Sequence, residues 1–255
     1  MSFFRFLFVF FNNIAMGQFT FFVNFKTYPQ ATGEEAAALA KICFKVDRQT
    51  GQTIIPLVQA VDLYRVKKEA GDLFWTQHLD WFEAGAHTGW ISPEAVLAAG
   101  ASGTLLGHSE HQLPPGTIKR TIKRVRELDK NFQVMVCART LGQLKKRVFL
   151  KPDFLAYEPP ELIGGEISVS QAQPGVIRKA KRICHQKGIP LVVGAGVNSA
   201  QDVLLAKKLG AAGVLVSSAV VLAKNPEEKL REMVKGKAHG TKQDIYRIKQ
   251  DGSPV

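Results

Sequence analysis

Cysteine is scarce in this chain: Cys43, Cys137 and Cys184 are the only three among 255 residues, and no two of them form a CxxC pair. An odd number at wide spacing excludes a disulfide framework and a thiolate zinc site, and it fits a reducing compartment, so a cytoplasmic location is expected. Cys43 and Cys184 fall on helical patterns and Cys137 ends an apolar run, so each reads as a small core residue. Histidines at metal-ligating intervals with a third partner are missing too, so no metal is expected. No glycine-rich dinucleotide fingerprint follows the first apolar run, where the chain reads Phe25-Lys-Thr-Tyr-Pro29. No Pro/Ser-rich linker divides the sequence, which reads as a single domain.

Long apolar runs are absent as well. Phe3 to Phe11 is far too short to cross a bilayer as a helix. With only Arg5 as a basic start and no small-residue cleavage pattern in Asn12-Asn-Ile-Ala-Met16, it does not read as a secretory signal. Residues 1–17 are expected to form an extension outside the fold, 18–238 the folded domain, and 239–255 a polar tail. No membrane partner is expected.

Acidic residues are outnumbered, 22 against 34 Lys and Arg, for a net charge of +12. Such a balance suits nucleic acid, anionic surfaces or small anionic substrates. The runs Lys119–Arg126 and Arg178–Arg182 keep apolar residues at helical spacing and carry no interleaved aromatics to stack on bases. They read as solvated helix faces, and no nucleic-acid partner is expected. The charge reads as incidental to function beyond a part in steering a phosphorylated substrate.

What is present is a regular alternation. Short apolar, β-branched runs at Phe19–Asn24, Thr53–Val58, Leu73–His78, Gly103–His108, Phe132–Ala138, Phe154–Glu158, Pro190–Gly194 and Gly213–Ser217 read as strands. Between them lie helical patterns, such as Leu39, Ile42, Cys43 and Val46. Thr32-x-x-Glu35, Thr140-x-x-Gln143 and Ser199-x-x-Asp202 read as capping boxes. Ser92-Pro93 and Asn225-Pro226 place a cap before proline at the first helical position. Continuous apolar strands are buried on both faces and hence parallel. Eight β–α units in one chain predict an α/β fold, a (β/α)8 barrel with a parallel eight-stranded sheet, ahead of an open doubly wound sheet.

In such a barrel the carboxyl ends of the strands converge, and active sites form there. The polar residues at those ends are Asn24 and Lys26, Gln77 and His78, His108 with Ser109 and Glu110, and Glu158. The last two turns, Gly194-Ala195-Gly196 and Ser217-Ser218, are short and free of acids, which suits a phosphate cradle of backbone N–H groups. After Glu158, Pro159 and Pro160 make a stiff stem and Gly164-Gly165 a hinge, so the segment reads as a catalytic base at the root of a closing lid. His78, His87 and His111 read as structural, and Glu110 as orienting neighbouring loops.

Six motifs in order carry a resemblance: Asn24-x-Lys26, Gln77-His-x-Asp80 with His87-Thr-Gly89, Gly107-His-Ser-Glu110, Tyr157-Glu-Pro-Pro-Glu-Leu-Ile-Gly164, Gly194-Ala-Gly-Val197 and Gly213-Val-Leu-Val-Ser-Ser218. Together they resemble the triosephosphate isomerase family, in its compact, archaeal-type branch. The chain departs from that pattern at Gly165-Glu166 and Ile167-Ser168, where Thr-Gly and Ile-Pro are expected.

The resemblance implies interconversion of dihydroxyacetone phosphate and D-glyceraldehyde 3-phosphate, a step of glycolysis and gluconeogenesis, without a cofactor. Glu158 would move a proton between C1 and C2. His108 would polarise the carbonyl in its neutral form, which a helix N-terminus after Glu110 would favour. Lys26 would offset negative charge and Asn24 would hydrogen-bond the substrate oxygens. Ile163, Gly164, Gly194, Ala195, Gly196, Ser217 and Ser218 would hold the substrate and its phosphate. A homo-oligomer, dimer or tetramer, is expected through the loop Asp80–Ile91, whose Trp81, Phe82 and Trp90 read as exposed.

Overall fold

Every predicted strand forms, and each is shorter than the apolar run that announced it. The computed structural model describes residues 18–71, 73–162 and 168–235. The expected extension over 1–17 and tail over 239–255 lie outside the described residues. The strands are β1 (Thr20–Asn24), β2 (Ile54–Val58), β3 (Trp75–Thr76), β4 (Gly103–Leu106), β5 (Gln133–Ala138), β6 (Phe154–Tyr157), β7 (Leu191–Val193) and β8 (Gly213–Val216). They close into one barrel in sequence order, and β8 pairs back onto β1 in parallel, with Phe22 opposite Leu215. β3 keeps two residues of its run because Thr76 Oγ1 donates to the His78 carbonyl at 3.0 Å, which turns the chain out of the ladder.

The helices are α1 (Glu34–Thr50), α2 (Leu63–Glu69), α3 (Pro93–Ala98), α4 (Pro115–Leu128), α5 (Leu141–Arg147), α6 (Val169–Ala172), α7 (Pro174–His185), α8 (Ala200–Lys208), α9 (Ser218–Val221) and α10 (Pro226–Lys235). Their starts follow local chemistry. Ser199 and Asp202 form a complete, reciprocal capping box at α8. Thr140 accepts from the Gln143 N–H, but the Gln143 side chain reaches back to Arg139 rather than to the cap itself. The expected box at Thr32 does not form. Gly33 caps α1 instead, with its N–H on Asp62 Oδ1 at 3.1 Å, while Thr32 Oγ1 donates to the Tyr28 carbonyl.

Side-chain alternation along each strand divides the core in two. Phe22, Ile55, Leu57, Trp75, Leu105, Met135, Phe154 and Val192 fill the barrel interior, and residues such as Phe21, Val23, Ile54, Val136 and Val193 face the helices. Fully burying a side chain of this kind contributes about 1.5–3 kcal/mol, so both layers stabilise the same closed sheet. Inside, the rings of Phe22, Trp75 and Phe154 meet one another, with centroids 5.1 to 5.9 Å apart. Gly103 makes room for them: a methyl group on its α-carbon would stand 2.6 Å from Trp75 Nε1.

Candidate active site

Strand geometry delivers the predicted polar residues to one mouth. Asn24 is the last residue of β1, Glu158 directly follows β6, and His108 stands two residues beyond β4. They line a cleft of about 480 Å³, open mouth included, together with Lys26, Ala195, Gly196, Ser217 and Ser218. Its walls also include Tyr28, Val197 and Asn198, which were not expected from the sequence.

Glu158 is the most deeply buried acid of the cleft, 4% exposed, and His108 is 7% exposed. The Glu158 Oε2 atom lies 3.6 Å from His108 Nε2 and accepts from the Cys137 thiol at 3.0 Å. Cys137 therefore does more than fill the core, a contact that only the pairing of β5 with β6 creates. Gly194, expected in the phosphate cradle, lies beneath the Glu158 side chain.

The two groups bias each other's protonation. Burial alone would raise the Glu158 pKa, but the charge and hydrogen bond of His108, the Cys137 hydrogen bond and the Lys26 charge hold it below the ordinary carboxylate value. Burial alone would lower the His108 pKa, but Glu158, by charge and hydrogen bond, and then Glu110 outweigh it against the opposition of Lys26, so it lies above the ordinary imidazole value. Glu158 is thus a carboxylate ready to accept a proton. The expectation of a helix N-terminus after Glu110 is corrected: the next helix begins at Pro115. What orients the ring is the Glu110 backbone N–H, which donates to Nδ1 at 3.2 Å. A neutral ring then carries its proton on Nε2, the nitrogen facing Glu158.

Lys26 occupies a left-handed backbone conformation, φ 48°, rare for a residue with a side chain. Both of its peptide groups are tied down. Its N–H donates to Asn24 Oδ1 at 3.0 Å, and its carbonyl accepts from Gln77 Nε2 at 2.9 Å. The ammonium is paired with Glu110 at 2.5 Å. Spending Oδ1 on that backbone bond leaves the Asn24 amide as its donor group. Strain held by surrounding bonds is characteristic of functional sites.

Across the cleft, Ala195 and Gly196 are both left-handed, φ 71° and 67°, and the Ala195 carbonyl accepts from the Val169 N–H at 3.1 Å. Ser217 Oγ donates to the Asn24 carbonyl at 2.8 Å, fixing β8 to β1, and α9 starts at Ser218. The unpaired N–H groups of that first turn suit an anion. Ile163 and Gly164, with the hinge and Glu166, lie outside the described residues. Among the described residues no cluster of His, Cys, Asp and Glu could hold a metal ion.

A family model for triosephosphate isomerase matches residues 19–236. The chain belongs to the triosephosphate isomerase family. The triosephosphate isomerase of Methanocaldococcus jannaschii is 39% identical over 217 residues, covering 84% of this chain and 97% of that protein. That of Methanobacterium bryantii is 38% identical over 214 residues, covering 83% and 94%. That of Thermoplasma volcanium is 36% identical over 217 residues, covering 85% and 100%. These relatives of triosephosphate isomerase type are archaeal, in keeping with the compact branch that the motifs resemble.

The loop between β3 and α3 is closed at its base by Asp80, whose N–H and carboxylate pair with the backbone of Ile91 at 2.8 and 2.9 Å. Residues 83–90 are all exposed. The three aromatics are not equally so. Trp81 and Phe82 stack on each other at 4.3 Å, and Arg120 of α4 lies 3.9 Å over the Trp81 ring. Trp90 is 55% exposed, with its ring edge-on against Phe82 at 4.6 Å between centroids.

Proposed function

We infer that this protein interconverts dihydroxyacetone phosphate and D-glyceraldehyde 3-phosphate by proton transfer through an enediolate. The observation that carries the reading is the buried carboxylate of Glu158 facing His108 Nε2 across 3.6 Å at the cleft. Glu158 takes a proton from C1, and the C–H electron pair forms a C1–C2 double bond while the C2 oxygen gains negative charge. His108 supplies a proton to that oxygen, and the Lys26 ammonium offsets the developing charge. Asn24 donates to the substrate oxygens. Return of the Glu158 proton to C2, while deprotonated His108 takes the proton of the C1 hydroxyl, turns C1–O into the carbonyl and restores both groups, so no redox partner is consumed.

The pairing gives the order of events a physical basis. Once Glu158 is protonated, its charge no longer holds the His108 pKa up, and the ring favours its neutral form. Ala195, Gly196, Ser217 and Ser218 hold the phosphate through backbone N–H groups. Gly194 supports the base. The protein works in the cytoplasm; no helix among the described residues is long and apolar enough to cross a membrane. It assembles as a homo-oligomer, dimer or tetramer, through the projecting loop that ends in Trp90.

A coupled assay for aldehyde formation from dihydroxyacetone phosphate, run on the purified chain, tests this reading. Turnover that disappears in Glu158→Gln supports it, and an inert parent protein rejects it.

A further inference from the structure

Arg147 is 4% exposed, and among the described residues it has no carboxylate partner. A cation removed from water without a counter-ion is costly, and burial pulls its pKa down. As the last residue of α5 it suits the helix dipole, yet its guanidinium leaves the helix. Nη1 donates to the carbonyl of Cys137 and, at 3.4 Å, to that of Gly107. These are residues at the ends of β5 and β4. Gly107 is left-handed, φ 65°, and a methyl group there would stand 3.6 Å from Nη1 and 3.7 Å from Nη2, so the guanidinium packs over its α-carbon.

Both anchored residues lead directly to the reacting groups. His108 follows Gly107, and Gln112 Nε2 joins the same construction, donating to the Gly107 carbonyl at 3.3 Å and to the His108 carbonyl at 2.8 Å. Cys137 gives its thiol hydrogen bond to Glu158. We propose that Arg147 is a positioning residue, whose Nη1 ties the ends of β4 and β5 together and thereby sets the His108 imidazole against the Glu158 carboxylate. A lysine could keep the charge but not the planar guanidinium that lies over Gly107.

The inference rests on the isomerase reading, and its test separates the two. Arg147→Met and Arg147→Lys are purified as full chains, and kcat, KM, thermal stability and the His108 imidazole titration by ¹⁵N NMR are measured for each. Misplacement of reacting groups by about 1 Å costs on the order of 10²-fold in rate. Arg147→Met is therefore expected to lower kcat by about that factor with KM little changed, and to displace the His108 titration. Arg147→Lys falls between it and the parent, and millimolar methylguanidinium restores part of the Arg147→Met rate. A folded Arg147→Met with parental kcat overturns the proposal. So does a loss of kcat with an unmoved His108 titration and no rescue, which marks a merely structural arginine. If Arg147→Met does not fold, parental kcat and titration in Arg147→Lys overturn it equally. A parent chain without triose-phosphate turnover rejects the isomerase reading alone, because the His108 titration still reports whether Arg147 sets the ring.

Discussion

Gly194 lies directly under the side chain of Glu158: a methyl group on its α-carbon would stand 2.7 Å from Cγ and 2.9 Å from Cδ of that residue. Those distances are far inside van der Waals contact, so the glycine is there for space. Its backbone is not left-handed. Gly194→Ala is expected to fold, at a cost of about 1–3 kcal/mol for overpacking, while displacing the carboxylate. A shift of about 1 Å lowers kcat by about 10²-fold. Parental kcat in this variant would mean that Glu158 reacts from a position away from Gly194.

Glu158→Gln removes the proton acceptor while keeping the shape of the side chain. Turnover should be abolished, and binding of an inert phosphate ligand, measured by calorimetry, should be nearly unchanged. Glu158→Asp retracts the carboxylate by about 1 Å and should cost on the order of 10²-fold in kcat. Near-parental turnover in the Gln variant would assign the base elsewhere.

The same substitution makes an independent electrostatic prediction. With Glu158 neutral, burial, already the largest single influence on His108, loses its main opponent, so the pKa should fall from above the ordinary value, as read by ¹⁵N NMR. Stability follows with opposite signs for the two groups. The lowered carboxylate contributes stability that is present above the ordinary value of 4.5 and lost as pH falls through its folded pKa. The raised imidazole contributes stability that is present below 6.5 and lost as pH rises through its folded pKa. The stability difference between parent and Glu158→Gln, from urea unfolding, should therefore be largest between those two values and shrink on both sides. A difference independent of pH would remove the coupling.

Assembly can be tested at Trp90. Trp81 and Phe82 are held by each other and by Arg120, so charging them would also disturb the protomer. Trp90 is 55% exposed and touches this cluster only through an edge contact with Phe82, so Trp90→Glu should weaken association at micromolar concentration, by sedimentation, at a small cost in thermal stability. A parent that sediments as a 28.1 kDa monomer with full activity would exclude the interface.

The site was legible wherever function sits at a strand end. Asn24, Lys26, His108 and Glu158 announce themselves because an apolar run stops at a polar residue, and a parallel barrel brings all such stops to one face. Arg147 and Cys137 gave no such signal. One looks like another basic residue on a basic helix, and the other like a core thiol. Each acts on an atom of a different strand, and that pairing is invisible until the sheet closes. The helix assumed after Glu110 failed for a related reason. Pro114 and Pro115 delay α4, and the backbone N–H of Glu110 takes over the orienting role.

By itself the sequence determined the number of strands, their parallel pairing and the end of the barrel at which chemistry is placed. Those properties follow from local periodicity and from the direction of the chain, which neighbours in sequence are enough to specify. Only the tertiary structure decided that Gly194 must be glycine beneath Glu158 and Gly103 beneath Trp75, and that the Glu158 carboxylate is held down by His108, Cys137 and Lys26. Steric exclusion and electrostatic coupling act over a few ångströms of space, and the chain separates these partners by tens of residues, so only closure of the barrel brings them within reach.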